Sequence, residues 1–408
     1  MPSMRPNCVK GSRRYTIRMP PTSLRTCTTP CGPLPSGGRW PTGRDLVCCC
    51  SRRRLRVGES PYAARPPLPA HGWDQLLREA KDHRTIGLLA QAVADGSFVT
   101  TPEQAEEAYD THAEAMGLAV VLERLLLDTV ALLTDAAVDH RVLKGSAVAH
   151  LVYPDPAQRP FGDVDVLVAA CQFDLTVATL VDAGYRRQRP QLRPGFDRRF
   201  AKSVTLTSPD GLPVDLHRTL AAGRFGVTLP AEELFNGSSP LRLGGATLAA
   251  LAPEDRFLHA CYHAVLGSSS PPLLALRDIA QILLATDLDV EEVQERSRRW
   301  RGQAVLARAV EVTWETLAVI ATPALVVWGR CYHPDRRERW VLRAHTVDRT
   351  GGTQAVTALS AIAGLRQKFA FLWALAVPQR AYLGDGRSRY RRWWVRGALA
   401  LTRTRRGR

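Results

Sequence analysis

The stretch of residues 142–168 constrains the fold more than any other part of this 408-residue chain. It begins with an apolar run that leads to Lys144, breaks at Gly145, and continues over residues 146–153 as a helix-forming sequence. This order predicts a strand, a tight glycine turn and a helix. The first turn of a helix presents free backbone N–H groups and the positive end of the helix dipole, so such a turn suits an anion.

Two aspartates follow in the same stretch, within the strand-forming run GDVDVLV. Asp163 and Asp165 are two residues apart, so both carboxylates are expected on one face of a strand. Like charges at that distance repel each other and resist desolvation. A divalent cation removes this cost, because Mg²⁺ binds one or two carboxylates together with substrate phosphate oxygens. The simpler alternative is an edge strand with both aspartates in water.

A third acid falls on a predicted hairpin. Residues 203–207 and 212–216 flank the turn sequence SPDG, which predicts two antiparallel strands. Asp215 lies between two apolar residues of the second strand, where a carboxylate is unexpected without a partner. His217 shares a strand face with it and either contacts a substrate or carboxylate or makes a structural hydrogen bond. Arg159, in the loop before Asp163, is a guanidinium suited to phosphate.

The order of these motifs resembles that of the DNA polymerase β-type nucleotidyltransferase superfamily. The shared elements are the Gly-Ser pair at 145–146, the Asp-x-Asp pair at 163–165 and a lone aspartate on a later strand. The segments LKGSA, YPDP, QRPFGDVDVLV, AGY and VDLH more closely resemble a group of uncharacterised bacterial nucleotidyltransferase family proteins. The resemblance extends over roughly residues 72–290.

The resemblance implies an α+β fold with a mixed α/β, polymerase β-like core and flanking helices. It implies that Asp163, Asp165 and Asp215 are the catalytic acids and bind two Mg²⁺ ions. The reaction would transfer a nucleoside monophosphate from an NTP such as ATP to a hydroxyl and release pyrophosphate. The residues expected to bind the nucleotide are Lys144, Gly145, Ser146, Arg159 and His217.

Other functions stay open at this level. The acceptor could be a small molecule, a sugar, a protein side chain or tRNA. The chain could also be a non-catalytic nucleotide- or RNA-binding protein of the same fold, or the toxin of a toxin–antitoxin pair that modifies tRNA or its partner protein. Three separate acids favour an enzyme, because a pure binding protein has no chemical reason to keep them.

Positive charge is concentrated at the two ends of the chain. Residues 1–70 contain 13 Lys and Arg against 2 acids, residues 380–408 contain 10 against 1, and residues 71–379 contain 32 against 36. The sequence pI of about 9.9 is therefore no evidence that the core binds nucleic acid. We expect a disordered basic leader over residues 1–70, which is either native or translated from upstream of the native start. Residues 378–408 form a basic tail that mixes Trp with Arg, as surfaces that contact membranes or nucleic acid do.

Hydrophobic spacing predicts N-terminal helices over residues 71–116, a nucleotidyltransferase core over 117–245 and a helical domain over 253–377. The last includes predicted helices at 255–266, 273–286 and 290–321. Charged residues or proline interrupt the apolar stretches 310–328 and 357–377, so core helices are expected there rather than membrane spans.

Single residues in the second half of the chain also lead to expectations. Three scattered cysteines, Cys171, Cys261 and Cys331, are expected to be buried free thiols in a reducing cytoplasm. Asp278 is expected to pair with Arg277 or Arg256, or else to contact the cleft.

Overall fold

A computed structural model of the protein describes residues 66–347 and 350–383. Nearly all of the predicted basic leader, and the basic tail beyond residue 383, lie outside these residues. The strands are β1 (His140–Val142), β2 (Val164–Val168), β3 (Arg186–Arg187), β4 (Ser203–Thr207), β5 (Pro213–His217), β6 (Ser239–Leu243) and β7 (Ala246–Ala250).

Helices surround these strands and continue after them. The helices up to β6 are α1 (Ala70–Asp82), α2 (Ile86–Ala94), α3 (Pro102–Asp135), α4 (Ser146–Val152), α5 (Phe173–Asp182), α6 (Asp197–Phe200) and α7 (Gly223–Thr228). Those after β7 are α8 (Pro253–Gly267), α9 (Leu273–Ala285), α10 (Val290–Arg299), α11 (Gln303–Leu317), α12 (Ala324–Cys331), α13 (Arg336–Thr346), α14 (Gly351–Ala361), α15 (Leu365–Ala376) and α16 (Arg380–Leu383).

The seven strands form one mixed sheet in the order β3-β4-β5-β2-β1-β7-β6. The pairs β2–β5 and β1–β7 are parallel, and the other neighbours are antiparallel. All five residues of β2 are buried, as expected for a central strand covered on both faces. The predicted mixed α/β fold with flanking helices is confirmed.

Two large apolar cores and one smaller cluster are buried among the described residues. The first joins α1 and α2 to α8, α9 and α11, and Leu76 and Phe257 are fully buried in it. The second lies against the sheet and includes Leu126 and Val166. Helix α3 contributes to both cores and runs without a break across the predicted boundary at residue 117. All the described residues belong to one compact unit.

Local hydrogen bonds fix the start of α3 and the turn of the hairpin formed by β4 and β5. The Thr101 side chain accepts a hydrogen bond from the Gln104 backbone N–H, and the Gln104 side-chain oxygen accepts one from the Thr101 N–H, so the two form a capping box. In the hairpin, the Ser208 hydroxyl accepts from the Leu212 N–H, and Gly211 has a φ of +83° that a side chain would disfavour. The turn of the hairpin was predicted from the SPDG sequence.

The structure corrects three details of the sequence interpretation. Strand β1 ends at Val142, so Lys144 lies in the glycine turn. The predicted helix 290–321 is two helices, α10 and α11. They are separated at Arg301, whose φ of +54° is not helical, and at Gly302, where a side chain would clash with the Tyr262 hydroxyl. All three cysteines are free thiols, but only Cys261 is buried, so the expected burial of Cys171 and Cys331 is wrong. Their spacing in the sequence did not reveal which face of the fold they occupy.

The two apolar stretches are each divided between helices. Residues 310–328 contain the end of α11 and most of α12, and residues 357–377 contain the end of α14 and all of α15. Among residues 66–347 and 350–383, no helix combines the length and the apolar character needed to cross a bilayer.

Candidate functional site

A cluster of acids lies on one face of the sheet where β2 and β5 run side by side. The parallel register pairs Asp165 with Asp215 and Leu167 with His217. Ligand atoms of Asp165, Asp215 and His217 all lie within 4.8 Å of one another. Asp163 precedes the first residue of β2, and its side chain is 28% exposed, whereas that of Asp165 is 1% exposed. The structure therefore brings Asp165 and Asp215 together, as the sequence analysis expected.

The ammonium group of Lys144 lies between the two carboxylates of the Asp-x-Asp pair. Its Nζ lies 2.9 Å from Asp165 Oδ2 and 3.3 Å from Asp163 Oδ2. Burial lowers the pKa of Lys144, but the charges of Asp165 and Asp163 outweigh burial and hold the pKa above its ordinary value. The ammonium therefore stays charged between the two carboxylates. The sequence predicted that Lys144 binds the nucleotide. In the structure, Lys144 contacts the acids that border the glycine turn.

His217 contacts an acid rather than the glycine turn. Its Nε2 lies 2.8 Å from Asp165 Oδ1, and burial lowers the pKa of His217 below its ordinary value. A neutral imidazole that donates its Nε2–H to the carboxylate accounts for both observations. Burial raises the pKa of Asp165, but Lys144 and His217 outweigh it and hold this pKa well below its usual range. Asp165 is therefore ionised at neutral pH.

Asp215 has a neighbour on its other side. The antiparallel register of β4 and β5 places Thr205 opposite Asp215, and the Thr205 hydroxyl donates a hydrogen bond of 2.6 Å to Asp215 Oδ1. Asp215 is half-buried. Since Thr205 binds only one carboxylate oxygen, the other oxygen is available to a ligand.

The glycine turn borders a cavity. Gly145 has a φ of +53°, a conformation that side chains disfavour, and Ser146 behind it is buried. A cavity of about 330 Å³ opens beside Gly145 and Asp163. Its other walls come from the α1–α2 connection, α8 and α9, and include Arg84 and His263. A cavity of this size next to the acids can hold a small polar ligand.

Arg159 is engaged by the protein itself. Its guanidinium donates to both carboxylate oxygens of Asp278, at 3.0 and 2.7 Å, and to the Gly145 carbonyl at 3.2 Å. The Tyr153 hydroxyl also donates to Asp278, at 2.8 Å. This buried network attaches the glycine turn to α9, so Arg159 positions the turn. Asp278 also lines the cavity, as expected for an acid that contacts the cleft. Its ion-pair partner Arg159 comes from the loop before β2 and was not foreseen.

Two further cations border the site, and sequence analysis did not single them out. Arg84 lines the cavity and is exposed, and its guanidinium makes no hydrogen bond or ion pair within the described part of the chain. Lys202 directly precedes β4. Burial and the charge of Lys144 lower the pKa of Lys202, although Asp165 and Asp215 raise it. No local pattern marked either residue, because only the tertiary fold brings them to the acids.

Comparison with known proteins adds a family match. The model of the family described as "Uncharacterised nucleotidyltransferase" matches residues 69–318, which is more than half of the chain. A search of curated proteins found no match. Among solved structures, an antigenic nucleotidyltransferase-like protein from Paracoccidioides brasiliensis is 15% identical, with 50% of this chain and 92% of that chain covered. Its TM-score is 0.28, which is too low to bear on fold or function.

Proposed function

Since the chain belongs to the family of uncharacterised nucleotidyltransferases, we propose that it transfers a nucleoside monophosphate from an NTP to an acceptor hydroxyl and releases pyrophosphate. One observation carries the proposal: Asp165 and Asp215 pair side by side across β2 and β5. Asp163 lies just before β2, and the Lys144 ammonium contacts both Asp163 and Asp165. Such a convergence of acids on a buried sheet face is costly for folding and has a direct use in phosphoryl transfer.

The donor atoms at this site fit a hard divalent cation. Oδ2 of Asp165 is buried and accepts no well-aligned hydrogen bond from the described residues, although the Lys144 ammonium lies nearby. Carboxylate oxygens are the ligands that Mg²⁺ prefers. Asp163, Asp165 and Asp215 would hold two Mg²⁺ ions. When bound, the ions would supply Lewis-acid stabilisation to the attacking and leaving oxygens of an in-line displacement.

The surrounding residues would divide the remaining work. His217, which hydrogen-bonds Asp165, would orient that carboxylate toward the cation. The Gly145-Ser146 turn would contact the β- and γ-phosphates, and Arg159 would position the turn. Arg84, whose guanidinium is unpaired within the described residues, would bind the triphosphate, and Lys144 would exchange its acid partners for phosphate oxygens. These positive groups would offset charge that accumulates on the leaving pyrophosphate.

Transfer of label from the α-phosphate tests the function. We would incubate the full chain with Mg²⁺, each α-labelled NTP and separate RNA, protein and small-molecule fractions of a cell lysate. The wild type should label one fraction, and Asp165→Asn should lose at least 100-fold in rate, because the acids act together. Equal labelling by the two proteins, or none by the wild type in any fraction, would contradict the proposal.

A further inference from the structure

A second groove lies at the edge of the sheet, on the far side of Asp215 from the glycine turn. Its volume is about 410 Å³, and its polar lining includes Gln188, Arg189, Ser203 and Thr205. It follows β4 at the point where the short edge strand β3 ends. The groove and the cavity at the glycine turn share no lining residue.

This groove reaches the acid cluster through one side chain. Thr205 lines the groove and donates its hydroxyl to Asp215 Oδ1 at 2.6 Å. Ser203, also in the wall, pairs in register with His217. Because residues opposite each other in a sheet point to the same face, the groove wall and the acids share one face. An acceptor in this groove and an NTP in the cavity would therefore approach the acids from different sides.

The segment that forms the groove is strongly basic. Residues 186–202 contain seven Lys and Arg against one acid, whereas the rest of 71–379 contains 25 against 35. Arg187 is paired with Asp197. Arg189 is exposed, and within the described residues its side chain has no hydrogen bond or ion pair. Arg187 and Arg189 are the two basic residues of this segment that line the groove among the described residues.

The groove also offers apolar contacts to a chain-like ligand. Tyr382 and Leu192 are half-buried in its wall beside the arginines, and the buried Phe196 completes this apolar part of the lining. Cationic grooves that combine arginine with aromatic surface are typical of proteins that bind single-stranded nucleic acid.

We propose that this groove binds the 3′ end of a nucleic acid strand, whose terminal hydroxyl is the acceptor. The inference rests on the proposed nucleotidyl transfer. In that reaction the terminal oxygen would form a bond to the α-phosphorus, and the bond from that phosphorus to the bridging oxygen of the β-phosphate would break. Pyrophosphate leaves with that oxygen, the hydroxyl proton goes to solvent, and the strand is longer by one nucleotide.

Oligonucleotide binding tests the groove without any transfer step. The probes are 12-nucleotide single-stranded RNA and DNA of one sequence, labelled with fluorescein at the 5′ end, and binding is followed by anisotropy. The proteins are the full-length wild type, Arg189→Glu, and Arg242→Glu as the matched control. Arg242 is also exposed and lies on β6, at the opposite edge of the sheet. Tighter binding of RNA than of DNA would identify a ribose end.

Arg189→Glu should weaken binding of the preferred strand about tenfold and reduce the slope of log K against log salt by roughly 0.7, the value for one lost single-strand phosphate contact. Arg242→Glu should bind within about twofold of the wild type.

Equal binding by all three proteins would overturn the proposal, and so would a loss for Arg189→Glu that appears only with phosphatidylserine vesicles. Label found on protein rather than on the strand would refute the groove as acceptor site but not the transfer. No label transfer at all, with Arg189-dependent strand binding intact, would refute the proposed function instead.

Discussion

Lys144→Met should lower the free energy of unfolding by about 3 kcal/mol in metal-free buffer, because it leaves two neighbouring carboxylates without a counter-charge. Asp165, with its side chain 1% exposed, would bear most of this cost. Methionine keeps much of the volume, so the change isolates the charge. Saturating Mg²⁺ should restore most of the loss, because the cation would take over the role of the ammonium.

Urea unfolding of the two proteins, each with EDTA and with Mg²⁺, measures this effect. Lys81→Met is the control, since Lys81 is exposed in the last turn of α1 and its side chain makes no ion pair among the described residues. We expect Mg²⁺ to raise the free energy of unfolding of the Lys144 variant more than that of the wild type. If Mg²⁺ stabilises both by the same amount, Lys144 and the cation do not share these carboxylates.

Arg159→Met should have an effect of similar or larger size on stability, about 3–5 kcal/mol, because it leaves the Asp278 carboxylate buried and unpaired. Both side chains are 7% exposed, and the pair is bidentate. The variant also removes the bond from Arg159 to the Gly145 carbonyl, which keeps only its bond from the Ala149 N–H, so the glycine turn loses its attachment to α9. The double variant Arg159→Met/Asp278→Leu should recover part of the stability, since an apolar pair replaces a charged one.

A double-mutant cycle by chemical unfolding separates these effects. A positioning role predicts that the double variant regains stability but still binds NTP weakly, because the turn stays detached. Were Arg159 a direct phosphate ligand, stability would change little and NTP affinity alone would fall. Arg308, exposed and paired with Glu311 on α11, offers a surface pair as control, where Arg308→Met should cost at most about 1 kcal/mol.

Local signals were sufficient for most elements of the fold. The SPDG turn marked the hairpin of β4 and β5, and hydrophobic spacing predicted the flanking helices. What they could not provide is the parallel pairing of β2 with β5, because the two strands are almost 50 residues apart and nothing local encodes their register. That pairing was anticipated through the resemblance to nucleotidyltransferases.

Some residues of the candidate site could likewise be predicted from the sequence, and others could not. The acids and the glycine turn stood out because each breaks a local pattern: Asp215 interrupts an apolar strand, and Gly145 interrupts a strand-to-helix run. Arg84 and Lys202 break no pattern, since a basic residue is ordinary in any loop. The partner of Asp278 depended on where the loop of Arg159 packs against α9, which only tertiary structure defines.

The most direct test of the account is the binding of Mn²⁺, a paramagnetic substitute for Mg²⁺, followed by electron paramagnetic resonance in the presence of a non-hydrolysable NTP analogue. The wild type should bind two ions, and Asp215→Asn should lose at least one of them. Asp210→Asn, in the exposed turn of the same hairpin, should bind as the wild type does. Equal Mn²⁺ binding by the wild type and Asp215→Asn would contradict the claim that these acids meet around divalent cations.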